Sequence, residues 1–302
     1  MTLNERTQHI NNGLRDLLTT SIGWGMAHNV EFFIDRLALH PRAFSGVAMG
    51  DSWFDYDFTA MFLDGGGHDL IDHLDHSGLV NVFRLSVAGD TLEHMVNGRQ
   101  MDNTVQAIKV IGPDFVMVSG GGNDLTGTDG VRLERFLTSS GLNRAAAWMM
   151  IESVFRKSYQ TLIDEVRKVD ADVPIFMHGY AHAVPDGRCV NHPFRDHPLA
   201  GPWLKPAFDR KGIPDDRRPA IVVELIDLFN AMLRALAAEN PGVHHVDLRP
   251  VLKPTPIDWA NELHPTSAGF KKVADAFERA ILPLMPARAS SSSAGLMPVP
   301  AG

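Results

Sequence analysis

The sequence predicts an α/β domain, a parallel sheet with helices over both of its faces. Three observations carry this expectation. Five short apolar runs recur along the chain, each too short to be a helix of its own. Longer segments with helical apolar spacing separate most of them, and such alternation is the pattern of a parallel sheet covered on both sides. The chain has 302 residues, 44% of them hydrophobic, which is enough for one large domain with a sizeable core.

Residues 1–42 are polar and then mixed, and read as an N-terminal helical extension. Within it Trp24–Leu39 has helix-like apolar spacing. It ends at His40-Pro41, because the residue before a proline is biased out of the helical region. The main domain is expected over residues 43–286. Its strands are Phe44–Met49, Val80–Val87, Asp114–Ser119, Val173–His178 and Val243–Leu248. Helices are expected over Thr91–Ile111, Arg144–Val169, Pro219–Glu239 and Thr266–Leu284. Gly179–Asp216 breaks the rhythm, being rich in proline and poor in periodicity. A loop of that length in a compact domain is a functional lid or a linker, and Tyr180, Phe194, Trp203 and Phe208 argue for a packed lid. The tail, residues 287–302, is biased toward Ser, Ala, Pro and Gly and is expected to be disordered.

Composition excludes several classes. The net charge is −8 with no Lys/Arg cluster, so nucleic acid is not an expected partner. The single cysteine, Cys189, allows no intramolecular disulfide, and nothing around it marks an activated thiol. The N-terminus lacks an apolar run of signal-peptide length, and no stretch approaches the roughly 18 apolar residues of a membrane span. The expectation is therefore a cytoplasmic protein. A metal site is not expected either. His178 and His182 have i, i+4 spacing but flank a strand end and its loop, and His192 and His197 form no local ligand pair.

In an open parallel sheet, ligands sit beyond the carboxyl ends of the strands. Gly50-Asp51-Ser52 follows the first strand, Ala88-Gly89-Asp90 the second and Gly120-Gly121-Gly122-Asn123-Asp124 the third. Asn261-Glu262-Leu263-His264-Pro265-Thr266 precedes the last helix. Each block alone is explained by turn formation. Together they make a set for acyl transfer. A serine hydroxyl needs a base to take its proton, and His264 can serve Ser52. A tetrahedral oxyanion needs preorganised donors. The backbone N–H groups of Ser52 and Gly89 and the side-chain amide of Asn123 can supply them. Asp51 and Asp124 more plausibly brace their turns than touch substrate.

The four blocks, in this order, resemble the SGNH hydrolase superfamily, also called GDSL esterases/lipases, over roughly Phe44 to Leu284. The resemblance implies a flavodoxin-like three-layer αβα sandwich with a five-stranded parallel sheet. It also implies Ser52 as nucleophile, Ser52, Gly89 and Asn123 as the oxyanion hole, His264 as base, and no cofactor. One position departs. The family usually has an aspartate three residues before the histidine, and here that residue is Asn261. Asn261 can orient His264 through its amide oxygen, Asp258 can reach instead, or a backbone carbonyl can accept the His264 N–H; Glu262 is a weaker option. Trp53, His178, Tyr180 and Trp259 are candidates for a substrate pocket, as are Phe54 and Trp203, with core packing as the alternative.

The expected function is therefore hydrolysis of carboxylic esters through an acyl-enzyme. Thioesterase, lysophospholipase and carbohydrate deacetylase activities are alternatives on the same site. A non-catalytic lipid or sugar binder, with Asn261 marking a decayed triad, is the alternative of another class. The sequence shows no exposed apolar groove, so a short or medium acyl chain is expected. It does not give the natural substrate or the oligomeric state.

Overall fold

The structure, a computed structural model, describes residues 3–20, 24–56, 67–127, 130–191, 194 and 197–285. The tail expected from residue 287 onward and the candidate ligand His192 lie outside these residues. Five strands form one parallel sheet: β1 (Phe44–Met49), β2 (Val80–Arg84), β3 (Phe115–Ser119), β4 (Ile175–His178) and β5 (Val243–His245). Their order is β2-β1-β3-β4-β5, so the winding direction switches between β1 and β3. The carboxyl ends of strands at such a switch point are where open α/β sheets bind ligands.

The strand interiors are buried almost without a break, as strands covered on both faces must be. Gly46 is required in β1 because a Cβ there would lie 2.3 Å from the Phe115 ring of the neighbouring strand. Two strands end earlier than the sequence suggests. Pairing nonetheless continues past β2, where Leu85 and Val87 donate to the carbonyls of Ala48 and Gly50. Past β5, Val246 donates to Met177. The backbone leaves regular strand geometry while keeping these bonds.

Eleven α-helices accompany the sheet among the described residues. In chain order they are α1 (Leu3–Thr20), α2 (Trp24–Leu39), α3 (Leu70–His76), α4 (Leu92–Asn97), α5 (Arg99–Ile111) and α6 (Gly122–Thr126). Then come α7 (Arg144–Met150), α8 (Arg156–Val169), α9 (Lys205–Arg210), α10 (Arg218–Glu239) and α11 (Ser267–Ile281). The helix expected over Thr91–Ile111 is two helices, because Gly98 takes extended backbone geometry between α4 and α5. The helix expected over Arg144–Val169 is continuous but contains a π-helical turn, Ile151–Phe155, between α7 and α8. Helix α3 is not expected from the apolar spacing, although its N-terminal signature is present: Asp69 and Asp72 form a reciprocal capping box.

Right-handed crossovers fix the layers. The step from β1 to β2 runs opposite to all later steps, so α3 lies on one face and α5, α8 and α10 on the other. Helix α11 packs beside α3. The N-terminal helices belong to the same core: Ile10, Leu14, Val30, Phe33 and Leu37 are buried, and Asn81 Nδ2 donates to the Phe33 carbonyl. No helix among the described residues is long and apolar enough to cross a membrane.

Candidate active site

Gly50-Asp51-Ser52 leaves β1 at the carboxyl edge of the sheet. Asp51 is buried and holds the turn. Its Oδ1 accepts from the Trp53 N–H at 3.1 Å and from Ser119 Oγ at 2.7 Å, and its Oδ2 from Tyr180 OH at 2.5 Å. Burial raises the Asp51 pKa, and these donors work against the rise. The result is a rigid Asx turn that leaves Ser52 half-buried. Its Oγ lies 2.8 Å from His264 Nε2, across 212 positions of sequence.

His264 is carried by a loop closed at both ends. Ala260 N–H donates to the His264 carbonyl and Thr266 N–H to the Asp258 carbonyl. Thr266 then caps α11 through the Gly269 N–H at 3.0 Å. Inside the loop, the Asn261 side-chain oxygen accepts from the backbone N–H groups of Leu263 (3.0 Å) and His264 (2.9 Å). Two N–H donors fix which end of the amide is oxygen, and that oxygen lies 3.1 Å from His264 Nδ1. An amide oxygen only accepts, so Nδ1 carries the proton and Nε2 is free to accept from Ser52. Asn261 Nδ2 donates to Tyr56 OH at 2.8 Å. The Tyr56 ring stacks on the imidazole with centroids 4.2 Å apart, and Trp203 meets it edge-on at 5.4 Å. Burial pushes the His264 pKa down to about 3, with no carboxylate opposing it.

The other candidates for orienting His264 are engaged elsewhere. Asp258 accepts from Lys272 Nζ at 2.5 Å and from the Lys253 N–H at 2.8 Å, so its carboxylate is turned from the imidazole. The buried carboxylate of Glu262 accepts from the N–H groups of Gly187, Trp203, Leu204 and Lys205 at 2.6–2.9 Å. It therefore ties the 179–216 segment to the histidine loop. The group that faces Nδ1 is the Asn261 side chain and not a backbone carbonyl.

Hydrogen bonds join the remaining two blocks to each other and to the first. Gly89 has φ +82, a backbone that side-chain-bearing residues rarely adopt; space is not the reason, since an added Cβ would meet nothing within 4 Å. Asn123 stands in the first turn of α6 and donates from Nδ2 to the Asp90 carbonyl at 2.8 Å, linking the second and third blocks. Its second amide hydrogen is left for another acceptor. Asp124 does not brace its own turn by this contact: it accepts from the Leu92 N–H at 2.9 Å, at the start of α4, and so ties the third block to the helix that follows the second. Gly121 turns the chain with φ +107. Gly122 N–H donates to Tyr180 OH at 2.9 Å, the same hydroxyl that donates to Asp51. Tyr180 thus ties the first block to the third. It is the one non-glycine with positive φ (+64) among the described residues, and strained backbone of this kind concentrates at functional sites.

The expected pocket residues need correction. Trp53, His178, Tyr180 and Trp259 are all buried, and Phe54 with them, in an aromatic cluster that packs on itself instead of opening to ligand. Such large rings bury more apolar surface in the core than any cleft wall would offer. Trp53 Nε1 donates to the Leu263 carbonyl, which ties this cluster to the histidine loop. Tyr56, stacked on the imidazole, is not marked as a site residue by the sequence. Its only signal is proximity to Ser52, and its partner Asn261 is 205 positions away. No group of three His, Cys, Asp or Glu side chains among the described residues could hold a metal ion.

The sequence profile of the GDSL-like Lipase/Acylhydrolase family matches residues 48–272. No curated protein matches the chain in sequence. Among solved structures, a lipase from a goat rumen metagenome covers 79% of this chain and 97% of its own at 15% identity, with a TM-score of 0.55. The extracellular lipase of Streptomyces rimosus covers 79% of this chain and 100% of its own at 16% identity and a TM-score of 0.49. The family 3 carbohydrate esterase of Clostridium thermocellum covers 81% and 100% at 14% identity and a TM-score of 0.44. The first of these likenesses shows a shared fold.

Proposed function

The chain belongs to the GDSL-like lipase/acylhydrolase family, and from that premise we propose that it hydrolyses carboxylic esters through an acyl-enzyme on Ser52. The observation that carries this reading is the 2.8 Å contact between Ser52 Oγ and His264 Nε2. Ser52 Oγ attacks the ester carbonyl carbon while its proton passes to Nε2. The developing imidazolium keeps its Nδ1–H on the Asn261 oxygen. The tetrahedral oxyanion takes hydrogen bonds from the N–H groups of Ser52 and Gly89 and from the free amide hydrogen of Asn123. Collapse breaks the bond to the alcohol, which leaves with the proton returned by His264. Water, deprotonated by the same imidazole, then attacks the acyl-serine, and the acid is released as Ser52 regains its proton.

The neutral Asn261 sets this site apart from one built on an aspartate. A carboxylate would stabilise the imidazolium by charge. Here the amide oxygen supplies orientation and tautomer, and the face of Tyr56 supplies the electron-rich surface a cation favours.

The test is turnover of p-nitrophenyl acetate and butyrate, combined with fluorophosphonate labelling and peptide mapping. Wild type should turn over both esters and carry the label on Ser52, and Ser52→Ala should do neither. Absence of both turnover and label in wild type would sink the reading. Ligand binding without either would then point to a non-catalytic binder.

A further inference from the structure

A groove of about 1070 Å³ opens between α4, α7, the π-helical turn and α8. It reaches the third block, which carries Asn123. Asp124, next to Asn123, lines it, and Arg132 Nη1 lies 3.5 Å from the Asn123 carbonyl. Glu93 lines it from the first turn of α4, the helix that follows the second block. Its wall is apolar where Val96, Met149 and Val154 contribute, and Met149 and Val154 are 66% and 38% exposed. Apolar side chains this exposed along one groove mark a binding surface, and methionine adapts to ligands of varied shape. The π-helical turn brings Ser153 and Val154 to this wall, and such bulges recur at functional sites.

Charge selects the occupant. Arg132, Arg135 and Lys157 line the groove and are exposed, and none of them forms an ion pair among the described residues. Arg132 also acts on the buried Asp124, whose pKa its charge lowers, which leaves Arg135 and Lys157 as the groove's cations without an acidic partner, in a chain of net charge −8. Of the two acids present, Asp124 is buried and accepts from the Leu92 N–H, which leaves Glu93 as the exposed one.

We propose that this groove binds the apolar, negatively charged part of the substrate: a hydrocarbon chain along Val96, Met149 and Val154, with a phosphate or carboxylate held by Arg132, Arg135 and Lys157. That the bound molecule presents an ester to Ser52 rests on the hydrolase reading above; binding in the groove does not. A groove of this volume also makes room for a longer chain than the short or medium one the sequence suggests.

Two measurements test this. In the first, Ser52→Ala protein is titrated calorimetrically with octyl phosphate, octanoate and octyl glucoside at monomeric concentrations. The anionic ligands should bind more tightly than the glucoside. Adding Arg135→Gln and Lys157→Gln should weaken them by about 10-fold, as should high salt, while leaving the glucoside little changed. Tighter binding of one anion identifies phosphate or carboxylate as the recognised group. Equal binding of octyl phosphate and octyl glucoside, or an affinity indifferent to both substitutions, overturns the proposal. In the second, kcat/KM is compared for p-nitrophenyl octanoate and the mono-p-nitrophenyl ester of suberic acid, which has the same chain length and a terminal carboxylate. The double substitution should lower the ratio of suberate to octanoate turnover by about 10-fold, and an unchanged ratio counts against the groove. If wild type hydrolyses neither ester, the hydrolase reading fails and the calorimetry alone decides the groove.

Discussion

Tyr56 and His264 stack face to face, with ring centroids 4.2 Å apart and planes inclined by 23°. The Tyr56 hydroxyl accepts from Asn261, whose oxygen in turn faces His264 Nδ1. Two residues from two distant segments, Tyr56 and Asn261, therefore fix one imidazole by stacking, by tautomer and by a satisfied amide. This arrangement replaces the ion pair that a carboxylate would give, and it has measurable consequences.

Tyr56→Phe keeps the stack and removes the acceptor for Asn261 Nδ2. Loss of one hydrogen bond costs about 0.5–1.5 kcal/mol, so chemical denaturation should show a loss on that scale. Tyr56→Leu removes the stack as well, and kcat should fall further, by about 10-fold relative to Tyr56→Phe, on the scale of a desolvated cation–π contact. Equal kcat in the two variants would mean that the ring face contributes nothing to the imidazolium.

Asn261→Ala should lower kcat by on the order of 10²–10⁴, the range seen when a triad loses its orienting group and tautomer control. Asn261→Asp should instead place a negative charge beside Nδ1 and raise the His264 pKa from about 3. The base must be neutral to act, so the acid limb of kcat/KM should move to higher pH in Asn261→Asp. In wild type that limb should lie well below the ordinary histidine range near 6.5. A wild-type acid limb at 6–7 would contradict the buried, neutral His264.

Asp258→Asn should leave kcat within about 3-fold of wild type, because the carboxylate serves Lys272 and Lys253 and not the imidazole. A loss comparable to that of Asn261→Ala would reverse the assignment of the orienting residue.

Tyr180→Phe removes one hydroxyl that serves two blocks, donating to Asp51 and accepting from Gly122. Stability should fall by about 1–3 kcal/mol. Steady-state kinetics should show the loss in kcat more than in KM, since the turns carrying Ser52 and Asn123 loosen together. An unchanged kcat would show that Asp51 and the glycine turn hold their places without the tyrosine.

His178 adds a pH dependence to stability. Burial holds its pKa down to about 3, while the unfolded chain titrates near 6.5. Between these values the unfolded chain takes up a proton that the native state refuses, so stability falls as pH drops through this window. His178→Leu removes the proton site. Thermal melts should then show wild-type stability falling relative to the variant as pH falls from 7 to 4, and a constant difference would mean that His178 titrates alike in the folded and unfolded chain.

The order of strands and helices was legible because it is written in local periodicity, and local periodicity depends only on neighbouring residues. The four blocks were legible for the same reason: Gly, Asp, Ser and Asn at strand ends are near-neighbour patterns. Even the substitution at residue 261 could be read, as a question with several answers. Which answer holds was not readable, since Asn261, Asp258 and Glu262 lie within five positions of one another and differ only in what they meet. Lys272, fourteen positions from Asp258, makes that choice together with groups far off in sequence, Tyr56 and the N–H groups of Gly187, Trp203, Leu204 and Lys205.

The same reason separates the aromatic residues. Trp53, His178, Tyr180 and Trp259 are indistinguishable from pocket residues by type, and only packing assigns them to the core and leaves Tyr56 and Trp203 on the imidazole. The groove beside Asn123 is likewise invisible in any one segment, because its wall is contributed by four of them. The sequence by itself determined which chemical groups the sheet presents at its carboxyl edge. Tertiary structure decided their partners, because hydrogen bonds and ring contacts form between groups that are near in space, and distance along the chain says little about that once a chain of this length has folded.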